Sequence, residues 1–184
     1  MEIIGGGNTL LDVNFILEKI RIAEKTKLGD FGCGSTGIFA FTAAKLVGKE
    51  GRVYVVDILK PVLENLKRRA RLENYDNIDF IWSDLEIFKA TKIESGTLDA
   101  GLLINTLHLS HKRQDILRES IRMIKRNGRL AVIEWKNISI PFGPPLEERV
   151  EKDLLEILAK KLGLRPDEQF EAGPYHYGMV FVKL

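Results

Sequence analysis

Cysteine occurs once in the 184 residues, at Cys33, and histidine three times. A lone thiol excludes an intrachain disulfide, and three histidines make no zinc-type ligand spacing, so no metal is expected and a reducing cytoplasm fits. Nowhere do 18 apolar residues run together, and the opening MEIIGGGNTLLD has no basic stretch ahead of an apolar one. Neither a membrane span nor a secretory leader is therefore expected. Repeats and low-complexity tracts are missing, and a net charge of +2 permits an acidic partner without demanding one.

What the chain does hold is ordinary for a soluble globular protein: 45% hydrophobic and 29% charged residues. A chain of this length buries about 70% of its unfolded surface in one core. Residues 1–184 accordingly read as one domain, with an N-terminal helix inside residues 1–26 as a candidate cover for a ligand site.

After a Gly5-Gly6-Gly7 lead, Asp12 caps a helix whose apolar face is Val13, Phe15, Ile16, Leu17 and Ile20. A short strand, Lys27 to Phe31, leads into a glycine-rich turn and a helix from Ile38 to Val47. RVYVVD is the next strand, ending at Asp57. Pro61 opens a helix, IDFIWSD runs as a strand to Asp84, and LDAGLLIN runs as a strand to Asn105. Gln114 to Lys125 reads as a helix stopped by Asn127-Gly128, RLAVIEW as a strand, and Leu146 to Leu162 as a long amphipathic helix. The closing DEQFEAGPYHYGMVFVKL has two strand-like runs with no room for a crossover helix, so they pair antiparallel. The alternation predicts an α/β fold: a mostly parallel sheet with helices on both faces and an antiparallel C-terminal hairpin at one edge. Ligands bind such sheets outside the carboxyl ends of the parallel strands.

At the first of those ends stands GDFGCGSTG, in which Gly32, Gly34 and Gly37 have the G-x-G-x-x-G spacing that brings a ligand against backbone N–H groups and a helix N-terminus. Such a turn accepts a carboxylate as readily as a phosphate. Asp30, two residues upstream of Gly32, repels a pyrophosphate and attracts an ammonium group. A ligand end carrying both charges, an amino acid, suits both features. The second strand ends at Asp57, 25 residues after Gly32, where an acid grips the two hydroxyls of a ribose. Ser83-Asp84 ends the third, where a carboxylate accepts from the exocyclic amine of adenine. Amino acid, ribose and adenine together describe S-adenosylmethionine (SAM).

In these residues the chain resembles the class I SAM-dependent methyltransferases, from Lys27 to Leu184. The family's glycine motif resembles DFGCGSTG, its ribose acid falls on Asp57, its adenine-side acid on Asp84, and its fourth-strand segment on LDAGLLINTLHL. That resemblance implies a Rossmann-like three-layer α/β/α sandwich with a seven-stranded sheet. It also implies methyl transfer from SAM, with S-adenosylhomocysteine as product. Cofactor contacts are implied at Asp30, Gly32, Cys33, Gly34, Ser35, Thr36, Asp57, Ile58, Ser83, Asp84, Leu85, Asn105 and Thr106. One residue departs from the family's D-x-G-x-G-x-G: Thr36 stands where the third glycine is usual, and Gly37 follows one residue late.

Methyl transfer is an in-line displacement at an already activated carbon, so positioning supplies most of the catalysis. Acceptor-side candidates come from the remaining strand ends: His108 as base or orienting group, and Tyr175, His176 and Tyr177 in the hairpin turn. Either Glu134 or Trp135 points toward the site and the other away. Only the N-terminal helix and the Ile138 to Glu147 loop remain to cover a substrate. The acceptor stays open among small molecule, protein and RNA, and a homodimer is one way to close the site. Two other function classes fit less well: a SAM-binding subunit that is inactive by itself, and a nicotinamide oxidoreductase, which tolerates Asp30 badly.

Overall fold

The computed structural model describes residues 10–184, so the Gly5-Gly6-Gly7 lead and the first third of the expected N-terminal cover lie outside the described residues. Its elements run α1 (Val13–Lys19), β1 (Lys27–Phe31), α2 (Ile38–Val47), β2 (Arg52–Asp57), α3 (Lys60–Leu72), β3 (Ile78–Trp82) and β4 (Leu98–Ile104). They continue with α4 (Arg113–Met123), β5 (Ile124–Trp135), α5 (Lys152–Lys161), β6 (Leu164–Glu171) and β7 (His176–Lys183). Asp12 caps α1 as its sequence position predicts, its carboxylate accepting from the Phe15 N–H at 3.0 Å.

One seven-stranded sheet carries the fold, in the order β3-β2-β1-β4-β5-β7-β6. Its first five strands are mutually parallel, and β7 lies antiparallel between β5 and β6. Apolar residues of α1, α2 and α3 pack on one sheet face with Leu28, Val55, Leu102 and Ile133, and those of α4 and α5 on the other with Phe31, Val56, Leu103 and Val132. Alternation along each strand assigns neighbouring residues to opposite layers, which yields the three-layer sandwich.

The weak strand signal of KLGDF has a packing cause. A Cβ on Gly29 would lie 2.5 Å from the Phe31 ring, and one on Gly101 of neighbouring β4 2.7 Å from it. The buried ring of Phe31 lies across both glycines, so the residue that lowers strand propensity makes room for the largest side chain of β1.

Three boundaries differ from the sequence reading. Helix α4 stops at Met123, and Asn127-Gly128 instead lies inside β5, where the ladder to β4 shifts register between Leu98 and Ala100. Asn127 takes φ of 64°, so the turn residues make a bulge that lets buried Ile124 start the strand early. The long helix expected from Leu146 breaks in two: a single 3-10 turn at Leu146–Glu148, then α5 from Lys152. Between them Arg149, 5% exposed, is extended at ψ of 149° and donates to the carbonyls of Pro144 at 3.0 Å and Lys136 at 2.8 Å. Those bonds belong to the preceding loop and cannot form from a helical backbone position. At the sheet edge β6 begins at Leu164, earlier than DEQFE, with Pro166 at a bulge where an edge strand can spare an N–H.

Candidate functional site

Parallel strands aim their carboxyl ends at one cleft of about 920 Å³. On leaving β1 the chain makes the glycine turn. The Gly32 N–H donates to the Val56 carbonyl at 2.8 Å, tying the turn to β2. Gly32, Gly34 and Gly37 take φ of 79°, 66° and 56°, a region other L-residues enter only with strain. A Cβ on Gly32 would also lie 2.6 Å from the Thr106 hydroxyl, which donates to the Phe31 carbonyl at 3.1 Å. Gly32, Gly34, Ser35 and Thr36 line the cleft, and Gly37 starts α2.

Asp57, 8% exposed, ends β2 on the cleft wall. One of its oxygens accepts from the Leu59 N–H at 2.9 Å, and the other from the Cys33 thiol at 3.5 Å. The thiol is buried, pushed up by burial first and by Asp30 and Asp57 next, so it is no nucleophile. Beneath the turn, off the cleft wall, sits Asp30, 3% exposed. Its Oδ2 has no hydrogen-bond partner among the described residues. Burial, with the charge of Asp57 second, pushes this carboxyl up to about 7, against one stabilising N–H from Ala40.

The adenine-side candidates also meet here. Ser83 bonds Thr91 across 3.0 Å in the interior, Asp84 accepts from the Glu86 N–H at 2.9 Å, and Leu85 is buried beside them. Ile58, Ser83, Asp84, Leu85, Asn105 and Thr106 all line the cleft. So do Asp57, Glu86 and Glu148 as carboxylates, whereas among the described residues no lysine or arginine does.

On the acceptor side the four candidates separate. His108 lines the cleft, on a 3-10 turn after β4. Its Nδ1 lies 2.9 Å from Oε2 of Glu134, whose side chain has no exposed surface. Glu134 Oε1 accepts from the Leu107 N–H at 2.7 Å, so one carboxylate from β5 fixes both the turn and the imidazole it carries. Trp135, the next residue of β5, alternates to the opposite face of the strand and lines the cleft. The hairpin residues do not line it. Tyr177 is buried in the α4–α5 layer, donating to the Val150 carbonyl at 2.6 Å. His176 has no exposed surface, stacks 4.2 Å from the Trp135 ring, and is pushed down to about 4 by burial, then by the charges of His108, Lys136 and Arg149. Tyr175 packs edge-on against Phe142 at 4.8 Å.

Gly143, Pro144 and Pro145 of the Ile138 to Glu147 loop also line the cleft, as the sequence reading of that loop expects, whereas Leu59, Glu86, Leu109 and Ile116 line it without a sequence signal of their own. That the loop reaches the cleft follows from Arg149 holding its carbonyls, a contact between residues whose roles no motif announces.

The chemistry of this donor set fits SAM. A cleft lined by acids, with no lysine or arginine among the described residues, suits a sulfonium and an ammonium. The same set is hostile to the pyrophosphate of a dinucleotide.

Known proteins agree. Residues 22–164 match the family described as Methyltransferase domain. A demethylmenaquinone methyltransferase of Lactococcus lactis is 28% identical over 142 residues, 76% of this chain and 55% of that one. A ubiquinone/menaquinone biosynthesis C-methyltransferase of Pseudomonas fluorescens is 26% identical over 91% of this chain and 70% of its own length. The chain thus spans about half to two-thirds of the length of these relatives. In fold, the crystal structure of a SAM-dependent methyltransferase from Aquifex aeolicus superposes with a TM-score of 0.86, at 23% identity, over 96% of this chain and 92% of that one. With the family match covering more than half of its length, the chain belongs to the class I SAM-dependent methyltransferase family.

Proposed function

We propose that the protein binds SAM across the glycine turn, Asp57 and Asp84, and transfers its methyl group to an acceptor held against His108 and Trp135. Bound there, SAM supplies a methyl carbon already activated by the sulfonium. The chain's own contribution is to align the acceptor and receive its proton. The observation that carries this reading is the His108–Glu134 pair: Glu134 occupies Nδ1, which leaves Nε2 as the nitrogen available to the cleft, and the buried carboxylate stabilises the imidazolium that forms. Asp57 is assigned to the ribose hydroxyls, Asp84 to the adenine side, and Asp30 beneath the turn to the ammonium group. Tyr175, His176 and Tyr177 act behind the cleft wall: His176 backs Trp135, and Tyr177 holds Val150.

Acceptor chemistry follows from the remaining wall. Trp135, Leu109, Ile116, Pro144 and Pro145 make it apolar, and no basic side chain among the described residues is there to take a phosphate or carboxylate. An uncharged acceptor with a flat apolar body suits it, as does a proton that a histidine can take. Two relatives are named for C-methylation or methylation in quinone biosynthesis, which supports an activated ring carbon as the atom methylated. No helix among the described residues is long and apolar enough to cross a membrane, and the single buried thiol suits the cytoplasm. The test is incubation of the protein with methyl-labelled SAM and, separately, an uncharged hydroquinone, a phosphorylated nucleoside and a cell extract, read by mass spectrometry. Label entering the hydroquinone or another neutral extract component supports the reading. SAM bound but never turned over, alone or in extract, points to an inactive binding subunit instead.

A further inference from the structure

Helix α3 carries the basic run Lys67, Arg68, Arg69 and Arg71, all four exposed. Arg69 is nonetheless held in place. Its guanidinium donates from Nη1 to the Thr36 carbonyl at 3.1 Å, stacks 4.1 Å above the Phe41 ring of α2, and pairs through Nε with Glu73 at 2.6 Å. Three contacts from three directions fix a side chain that is 45% exposed. One turn earlier on the same helix, Leu66 fills the space a Cβ on Gly37 would need, its methyl carbons 3.0 Å away. Thr36 and Gly37 are the two positions at which the turn departs from the family's D-x-G-x-G-x-G, and both are met by α3.

The other end of α3 bears on the same ligand. Leu59, the residue that caps the helix, donates its N–H to the Asp57 carboxylate at 2.9 Å. A single rigid helix therefore runs from the acid at the end of β2 to the carbonyl at the tip of the glycine turn.

From this geometry we propose that Arg69 is a positioning residue for the cofactor turn: by holding the Thr36 carbonyl outward, it orients the Ser35–Gly37 peptides toward the methionine end of SAM, in place of the missing third glycine. The proposal rests on the SAM reading above. A carbonyl drawn to one side turns the N–H of the same planar trans peptide, that of Gly37, to the other, so the bond acts on the direction of the turn's donors and not on their number. The guanidinium fork suits this because one planar group can stack on Phe41 while donating to both Thr36 and Glu73, which an ammonium cannot do.

The experiment compares two ligands by calorimetry: SAM, and 5′-methylthioadenosine, which keeps adenine and ribose and lacks the amino-acid end. In Arg69→Gln the dissociation constant for SAM is expected to rise about tenfold while that for 5′-methylthioadenosine changes less than about twofold. Arg69→Lys, which retains charge without the fork, is expected to fall between wild type and Arg69→Gln for SAM alone. Thermal melts of the free proteins accompany these measurements, since an exposed ion pair contributes little to folding and the melting temperature should barely move. Equal weakening of both ligands, or unchanged SAM affinity in Arg69→Gln, overturns the role of Arg69 and leaves the SAM reading standing. A wild-type protein that bound 5′-methylthioadenosine but not SAM, or neither, overturns the SAM reading and this proposal with it.

Discussion

His108 and Glu134 meet at 2.9 Å with the carboxylate wholly out of solvent, although 26 residues separate them in the chain and they stand on different elements. The same carboxylate accepts from the Leu107 N–H, so neither the turn nor the ring can shift without breaking a buried charged bond. His108→Ala should therefore lower turnover by roughly 10² to 10⁴ while SAM affinity stays within about 0.5 kcal/mol of wild type. The check is single-turnover kinetics beside calorimetry; an equal loss of SAM affinity would move His108 to the cofactor pocket.

Glu134→Gln tests the support of that ring. The amide keeps the shape and its oxygen still accepts from the Leu107 N–H, but it meets Nδ1 with a donor, so the ring is held with its proton on Nε2 and the buried charged bond is lost at a cost of about 1 to 3 kcal/mol. Turnover should fall by less than in His108→Ala. Chemical denaturation and single-turnover kinetics together decide it; full activity would reduce Glu134 to a packing group.

Asp57→Ala should cost roughly 1.5 to 3 kcal/mol of SAM affinity, because a charged acceptor for two hydroxyls is removed. It also takes away the partner of the Cys33 thiol and the acceptor that caps α3. Calorimetry with S-adenosylhomocysteine gives the number, and unchanged affinity would move the ribose site elsewhere.

Asp30 makes the free protein pH-sensitive in a defined direction. Its carboxyl is raised by burial from 3.8 to about 7, so below 3.8 folded and unfolded states both hold the proton and the residue is neutral in its effect. As pH rises from there, the unfolded chain releases the proton first. Stability drains away until the folded group ionises too near pH 7, and is level above it, with a total loss of roughly 4 kcal/mol at most. Asp30→Asn should lack that decline. Urea melts at a series of pH values between 4 and 8 supply the comparison, and parallel curves for the two proteins would mean that Asp30 ionises as an ordinary carboxylate.

Ligand addition separates cofactor classes without any mutation. At one hundred times its dissociation constant, a ligand that binds only the folded state stabilises it by about 2.7 kcal/mol. SAM and S-adenosylhomocysteine should raise the melting temperature, and NAD should not. A shift with NAD alone would reverse the argument from Asp30, Asp57 and Asp84.

Much of this protein is written locally. Ile38–Val47 and Arg52–Asp57 fall where their apolar periods and flanking glycines put them, since helix and strand periodicity need only neighbours in sequence. The glycine spacing and the acid ending β2 are equally local, as is the lack of chain between the last two strands that forces β7 to run backward. From these alone come the α/β class, many of the residues that line the cleft and the family. Tertiary structure decided the rest. Helix α4 gives way at Met123 because Ile124 is needed in the core, and the helix expected from Leu146 breaks because Arg149 finds carbonyls of another loop. Neither choice is visible in a window of sequence. The acceptor side depended on register: in β5, pairing with β4 and β7 sends Glu134 to one layer and Trp135 to the other, and the same alternation buries His176 and Tyr177 on opposite faces. A strand's period is two, so a single step of register exchanges every inward and outward side chain, and only the assembled sheet fixes that step.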